Sequence, residues 1–308
     1  MPHSFSRRRF LQRTAGGALG LALAHTDLTL RDVWAAQDKQ PRKLAHMLSD
    51  ETYSLRELVQ SGKMTLLNTA KLHRKLDIKG VSLNDMFFKS WDKDYLDKIL
   101  DSFKANDRAI TCLIMEGDLA TGNEEARKKQ IESDTMKLKA AGYLGAPVVR
   151  MNLGGVHNKS ESDRKEGVDR CIDAFNQMLP VAKDLGIRIT IENHGGVSGS
   201  VEGILAVIKG TDPKWVGSLL DFGNPPVGHK PQVFAKLAPY AYHVHAKLAD
   251  FKPDGEATNS DYGKLLGILK ADKYPGAVSI EWEGRGDAVE GVKKTRDLIL
   301  KHWPELPN

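Results

Sequence analysis

From residue 42 onward the chain alternates short apolar runs with longer stretches whose apolar residues recur every three or four positions. Parallel βα units produce this alternation. The apolar runs predict strands at Leu44–Leu48, Ile78–Leu83, Ala109–Met115, Val148–Asn152, Arg188–Glu192, Val216–Asp221, Ala241–His245 and Ala277–Glu281. Between them the period of 3.6 predicts helices over Asp94–Lys104, Arg127–Ala141, Asp163–Leu185 and Gly203–Lys209, with Val289–His302 closing the chain. Glu51 to Leu76 holds two further helical stretches. Glycine or proline stops stand at Ala141-Gly142, Leu185-Gly186 and Tyr274-Pro275-Gly276. Eight strands separated by helices predict an α/β fold of the closed (β/α)8 kind, a TIM barrel, formed as a single domain by residues 42–308.

The first 36 residues have a different character. Ser6-Arg7-Arg8-Arg9-Phe10-Leu11-Gln12 precedes a Gly/Ala-rich, weakly apolar stretch from Ala15 to Ala24. That order resembles a twin-arginine export signal, with cleavage near Ala35 or Ala36. The stretch is too short to span a bilayer stably. The resemblance implies export by the twin-arginine route, with a periplasmic destination and no membrane attachment after cleavage. A basic N-terminal tail is the plainer alternative.

This segment carries +3 of the formal charge of +5, leaving +2 on the rest. So small an excess gives no footprint for nucleic acid, and a small neutral substrate fits better. The two cysteines, Cys112 and Cys171, lie in an apolar run and an amphipathic helix. They read as buried small hydrophobes rather than a disulfide or a metal clip.

Groups with metal-ligand chemistry end the last four predicted strands. They occur in Glu192-Asn193-His194, Asp221-Phe222-Gly223-Asn224, His243-Val244-His245-Ala246-Lys247 and Ile280-Glu281-Trp282-Glu283. The steps from 192 to 221, 245 and 281 are 29, 24 and 36 positions, about one βα unit each. Strand ends of a barrel converge on one rim, so Glu192, Asp221, His245 and Glu281 form a candidate site for one divalent cation. Three carboxylates and an imidazole suit Mn²⁺, Mg²⁺, Co²⁺ or Zn²⁺. A single acid at a strand end is more often a solvated loop residue or a helix cap; four in phase are not.

His243 shares a strand face with His245, and Glu283 with Glu281. His243 reads as a packed, hydrogen-bonded strand residue, and Glu283 either lines the pocket or pairs with Arg285. Arg150 ends the fourth strand, as a contact for substrate hydroxyls or as the partner of a rim carboxylate. Lys247, two residues past His245, faces the same way. His194 is a candidate substrate clamp or proton carrier. His46, near the end of the first predicted strand, is a candidate pocket residue. Asn152-Leu153-Gly154-Gly155 resembles no phosphate cradle and reads as a loop over the barrel mouth.

These segments resemble the sugar isomerase/epimerase branch of the xylose isomerase-like barrels, which includes D-tagatose 3-epimerase and inosose dehydratase. The resemblance covers most of residues 42–303. It implies Glu192, Asp221, His245 and Glu281 as metal ligands, and Glu192 and Glu281 as the acid/base pair on opposite sides of the substrate. Many of these relatives carry a substrate-contacting His three positions after the Asp; here Asn224 stands there. The implied chemistry is proton abstraction next to a carbonyl through an enediolate, giving isomerisation or epimerisation. If a leaving group lies β to the carbanion, elimination follows instead. An exported relative fits 3-keto-glycosides better than sugar phosphates, so a 3-keto-glycoside 1,2-lyase is the second expectation and a non-catalytic sugar-binding barrel the third. The apurinic endonuclease branch uses a richer histidine set and a basic face, which this chain lacks. A homo-oligomer is compatible with the sequence.

Overall fold

Eight strands hydrogen-bond in the order β1-β2-β3-β4-β5-β6-β7-β8, and β8 returns to β1. They are β1 (Leu48–Glu51), β2 (Gly80–Asn84), β3 (Ala109–Met115), β4 (Val148–Met151), β5 (Arg188–Glu192), β6 (Val216–Asp221), β7 (Ala241–Leu248) and β8 (Ala277–Trp282). All pairings are parallel. This closed parallel barrel is seen in a computed structural model that describes residues 40–155, 160–224, 230–258 and 260–308. The segment read as an export signal lies outside them.

Nine α-helices are found among the described residues. They are α1 (Arg56–Gln60), α2 (Leu66–Lys75), α3 (Lys93–Ala105), α4 (Glu124–Tyr143), α5 (Glu161–Leu185), α6 (Val201–Gly210), α7 (Lys230–Leu237), α8 (Tyr262–Ala271) and α9 (Ala288–His302). None of the described helices is long and apolar enough to cross a membrane. Polar caps fix where the main helices begin: Asn123 accepts from the Ala126 N–H and Ser200 from the Gly203 N–H. Helix α4 runs through Gly142, where the missing side chain leaves room for Leu185. The left-handed turn comes three residues later, at Gly145. The expected stop at Gly142 is thus a packing glycine instead. Gly186, with φ of 72°, does end α5.

The first strand departs from expectation. Leu44–Leu48 is apolar, but it does not enter the sheet as predicted; the strand starts at Leu48 and ends at Glu51. Residues before it lie along the N-terminal ends of the strands. The Arg42 N–H donates to the Gly186 carbonyl, and Arg188 donates to the Arg42 carbonyl at 2.8 Å. Leu44 packs with Cys112, Ile114, Val148 and Leu219 in a small cluster separate from the main core. Its apolarity thus serves a plug rather than a strand.

Alternation along each strand divides the side chains into two sets. Leu48, Val149, Ile189, Leu220, Val278 and Ile280 join the main core beneath the helices. The interior has a polar layer. Ser82 Oγ lies 3.0 Å from His243 Nε2 and 3.1 Å from Ser279 Oγ. Strand β2 is not adjacent to β7 or β8, so these bonds cross the inside of the barrel. His243 is therefore packed and bonded, two residues below the mouth. Burial, followed by the neighbouring His245, pushes its pKa well below the usual histidine value.

Asp134 on α4 is 2% exposed and accepts from Gln130 Nε2 at 2.9 Å. Burial raises its carboxyl to about 7, against the attraction of Lys137. Between the unfolded carboxyl value and this raised one, the folded chain binds more protons than the unfolded chain, so stability falls with rising pH through that window. Asp134→Asn, which keeps an acceptor for Gln130, should flatten this slope and raise the thermal midpoint by a few degrees near pH 8. Thermal melts of both proteins across pH would check it; a lower midpoint for the variant at high pH contradicts the assignment.

Candidate active site

The C-terminal strand ends bring Glu192, Asp221, His245 and Glu281 together. One ligand atom from each lies within 4.8 Å of the others, and all four residues are buried. The strands impose this. Parallel pairing sets Asp221 beside His245 and Lys247 beside Glu281. Asn193 locks the β5 end to β6 by donating to the Asp221 carbonyl at 3.1 Å while accepting the Asp221 N–H at 2.8 Å.

The polar atoms are aimed rather than merely gathered. Asp221 Oδ1 accepts the N–H groups of Gly223 and Asn224 at 2.7 and 2.6 Å, and Oδ2 is left without a partner. Glu281 Oε2 and both ring nitrogens of His245 are also buried without a hydrogen bond. His245 Nδ1 comes within 3.2 Å of Glu281 Oε2 but lacks bonding alignment. Orphaned buried polar atoms are rare, because each costs about 1–3 kcal/mol. Several converging on one point, from oxygen and imidazole donors, fit a divalent cation.

The electrostatics agree. Burial, then the charge of Glu281, pushes the Asp221 carboxyl well above its usual range. Burial acts to lower the His245 pKa, but Glu281 and Glu192 raise it well above the ordinary value. Burial would raise the other two acids. It is outweighed at Glu192 chiefly by the Arg150 guanidinium and at Glu281 by His245 and then Lys247, which hold Glu281 at about 2. Both shifts favour the protonated forms of Asp221 and His245, against which a bound cation would compete.

Around it lies a cavity of about 280 Å³. Arg150 bridges two of its carboxylates, Nη2 to Glu192 Oε2 at 2.5 Å and Nη1 to Glu116 Oε1 at 2.6 Å. Both alternatives foreseen for Arg150 therefore apply: it is the partner of rim acids and it lines the cavity. Lys247 Nζ sits 3.4 Å from Glu281 and 3.2 Å from Glu283. Glu283 also lines the cavity, and His194 stands exposed on its rim. Asn224 Nδ2 donates to Glu192 Oε1 at 3.2 Å. Larger surface grooves, one beside Trp91 and Tyr143 and another beside Phe251 and Lys301, lie away from these converging groups.

His46 is not brought to the site. It precedes β1, at the opposite end of the barrel, where it is exposed and its ring lies 5.5 Å from that of Trp303. The site instead receives Glu51 from the end of β1, Asn84 from β2 and Glu116 from just past β3. None of these three stands out in the sequence, although all lie at or next to C-terminal strand ends, as the four ligand candidates do. The Asn152–Gly155 loop supports this side. Asn152 Nδ2 donates to Glu116 Oε2 at 2.9 Å, and the Gly154 carbonyl accepts the Val197 N–H. Burial, then the charge of Glu281, pushes the Glu51 carboxyl up to about 8.

The xylose isomerase-like TIM barrel family matches residues 70–302. The chain belongs to that family. Among solved structures, a D-tagatose 3-epimerase-like protein superposes with a TM-score of 0.68 at 19% identity, covering 83% of this chain and 98% of that one. The 3-keto-D-glucoside 4-epimerase of E. coli gives 0.64 at 16% identity, covering 77% and 94%. At these identities the likeness is one of fold. A Methanocaldococcus jannaschii protein of uncharacterised function is 27% identical over 202 residues, 61% of this chain and 67% of its own. The C-glycoside deglycosidase alpha subunit of Arthrobacter globiformis is 31% identical over 71 residues, 23% of this chain and only 20% of that relative.

Because a cation competes with protons for Asp221 and His245, whose pKa values are both raised, its affinity should rise with pH and binding should release protons. Calorimetry with Mn²⁺ or Zn²⁺, in buffers of different ionisation enthalpy, would show this. Asp221→Asn and His245→Ala should each weaken binding at least about tenfold, since each removes one of four donors. Unchanged affinity in both variants would mean that the cation sits elsewhere.

Proposed function

We propose that the chain is a divalent-cation-dependent sugar isomerase or epimerase that removes a proton next to a carbonyl. The observation that carries this reading is the placement of two carboxylates, Glu192 on β5 and Glu281 on β8, at one cation-fitting cluster that opens into a small polar cavity. Glu192, Asp221, His245 and Glu281 would hold the cation, which when bound supplies Lewis acidity toward a carbonyl and its neighbouring hydroxyl.

The chain's own groups supply the proton transfers. A carboxylate oxygen of Glu192 or Glu281 takes the proton from carbon and an enediolate results. The same residue returns that proton to the adjacent carbon in isomerisation, or the other residue, having taken a proton from water, delivers it to the opposite face in epimerisation. A positioned general base contributes about 10²–10⁴-fold. Arg150 fixes Glu192 through Oε2, and Lys247 fixes Glu281 through Oε1. Both acids are thereby oriented before substrate arrives.

The cavity also favours a substrate class. Arg150 and Lys247 are its lysine and arginine linings among the described residues, and each is shared between two carboxylates. Neither is left over for a phosphate. A volume of about 280 Å³ lies at the low end of ligand pockets, which usually run about 300–1,000 Å³. A small uncharged sugar matches both features.

Elimination from a 3-keto-glycoside is the second reading, since it shares the first proton abstraction. The likeness over 71 residues to a C-glycoside deglycosidase subunit supports it, and the fold likeness to a 3-keto-D-glucoside 4-epimerase supports a keto-glycoside substrate under either reading. Export by the twin-arginine route, proposed on Arg7, Arg8 and the residues that follow, would bring the protein to glycosides rather than to sugar phosphates.

Incubation of cation-loaded protein with ketoses and 3-keto-glycosides in D2O separates these readings. Deuterium in an intact, rearranged sugar is the expected result; aglycone release with an unsaturated product would transfer the assignment to the lyase. Glu192→Gln and Glu281→Gln should each cut turnover by about 10²-fold or more. Full turnover in both variants would overturn the proton-transfer scheme, and binding without any exchange would point to a sugar-binding barrel.

A further inference from the structure

One acid at the mouth has no part in this scheme. Glu51 ends β1, is 1% exposed and lines the cavity, yet it stands outside the four-residue ligand cluster. The other cavity carboxylates outside that cluster have cationic partners: Glu116 has Arg150 and Glu283 has Lys247. Among the described residues Glu51 has no ion pair. Its partner is an amide, with Asn84 Nδ2 donating to Oε1 at 2.9 Å.

That amide is fixed in direction. Asn84 Oδ1 accepts the Met86 N–H at 3.1 Å, so turning the group over would set N–H against N–H and a carbonyl oxygen against the carboxyl. The Asn84 backbone N–H is held in turn by Thr52 Oγ1 at 2.9 Å. Glu51 is therefore oriented by two strand ends. In register, Asp50 pairs with Ile280, which sets Glu51 beside Glu281 on the neighbouring strand.

Packing does not call for an acid here. A carboxyl buried without a cation destabilises the fold relative to an amide of nearly the same shape. A rigidly aimed polar group on a small cavity is instead the usual means of fixing a ligand's orientation. A sugar hydroxyl both donates and accepts, so it can pair with this carboxyl in either protonation state.

We propose that Glu51, oriented by Asn84, is a specificity-determining residue that hydrogen-bonds a sugar hydroxyl on the β1–β2 side of the mouth, outside the carbonyl and carbinol carbons that react. The inference rests on the sugar reading above and adds which part of the barrel tells one sugar from another.

The test uses the full cation-loaded chain with a panel of ketohexoses and their monodeoxy analogues. Binding is followed by saturation-transfer NMR and turnover by deuterium exchange. Wild type should bind one deoxy analogue at least about tenfold more weakly than its parent. Glu51→Ala should erase that gap by weakening the parent alone, with KM rising more than kcat falls. Glu51→Gln should bind Mn²⁺ as wild type does and melt at the same or a higher temperature, whereas a residue kept only for packing would lower the midpoint. An unchanged sugar ranking in Glu51→Ala, an equal loss on every sugar, or loss of the cation would each overturn the inference while leaving the proton-transfer scheme standing. If wild type takes up the cation but binds no sugar at all, the functional reading fails and this inference fails with it.

Discussion

The barrel mouth buries more negative charge than its own side chains neutralise, and most of the local architecture follows from that. Glu192, Asp221 and Glu281 converge on His245 in a space where each carboxylate has lost most of its water. Such a cluster holds together only with protons or a cation between its oxygens. Arg150 and Lys247 moderate the excess from two sides, each spanning one acid of the cluster and one of the rim. Without a closed parallel sheet the four groups would have no reason to meet: they come from four successive strands and are separated by whole helices.

The layer beneath keeps the cluster in place. Bonds from Ser82 to His243 and Ser279 cross the barrel two residues below the mouth, and the reciprocal Asn193–Asp221 bonds join β5 to β6. An all-apolar interior would be simpler to pack. The polar interior instead fixes strand register close to the ligand atoms, where a slip of one residue would turn Asp221 or His245 to the opposite face. Stability and site geometry thus draw on the same interior bonds.

How far the sequence disclosed this depended on whether one signal dominated each segment. Arg188–Glu192 and Val216–Asp221 were legible to the residue because an apolar run ends abruptly in an acid. The first unit was not. Leu44–Leu48 carries the apolar signal, but Leu44 plugs the barrel floor and only Leu48 enters the sheet, while the true strand, Leu48-Ser49-Asp50-Glu51, looks like a polar loop because its interior positions are Ser49 and Glu51. His46 was drawn toward the site by that displacement, and Glu51 was hidden by it. Glu116 lies one residue past the end of β3, followed by Gly117 and Asp118, so in the sequence it looks like a loop acid. At Gly142 the sequence carried two meanings, helix stop and helix packing, and the contact with Leu185 decides for the second.

The two halves of the ring contribute different chemistry. Strands β5 to β8 supply all four groups of the cation-fitting cluster. Glu51, Asn84, Glu116 and Arg150 come from β1 to β4 and the residue after β3, and they face the same cavity from the other side. The family match begins at residue 70, after β1 has ended, so Glu51 lies outside the span that places this chain in its family. On the proposed reading, a cation cluster on one half and recognition groups on the other would let the barrel keep its proton chemistry while its substrate changes. In this chain the second half is acidic and its arginine is already shared between two carboxylates. Such a lining disfavours ligands that bring negative charge of their own, which agrees with the proposed uncharged sugar.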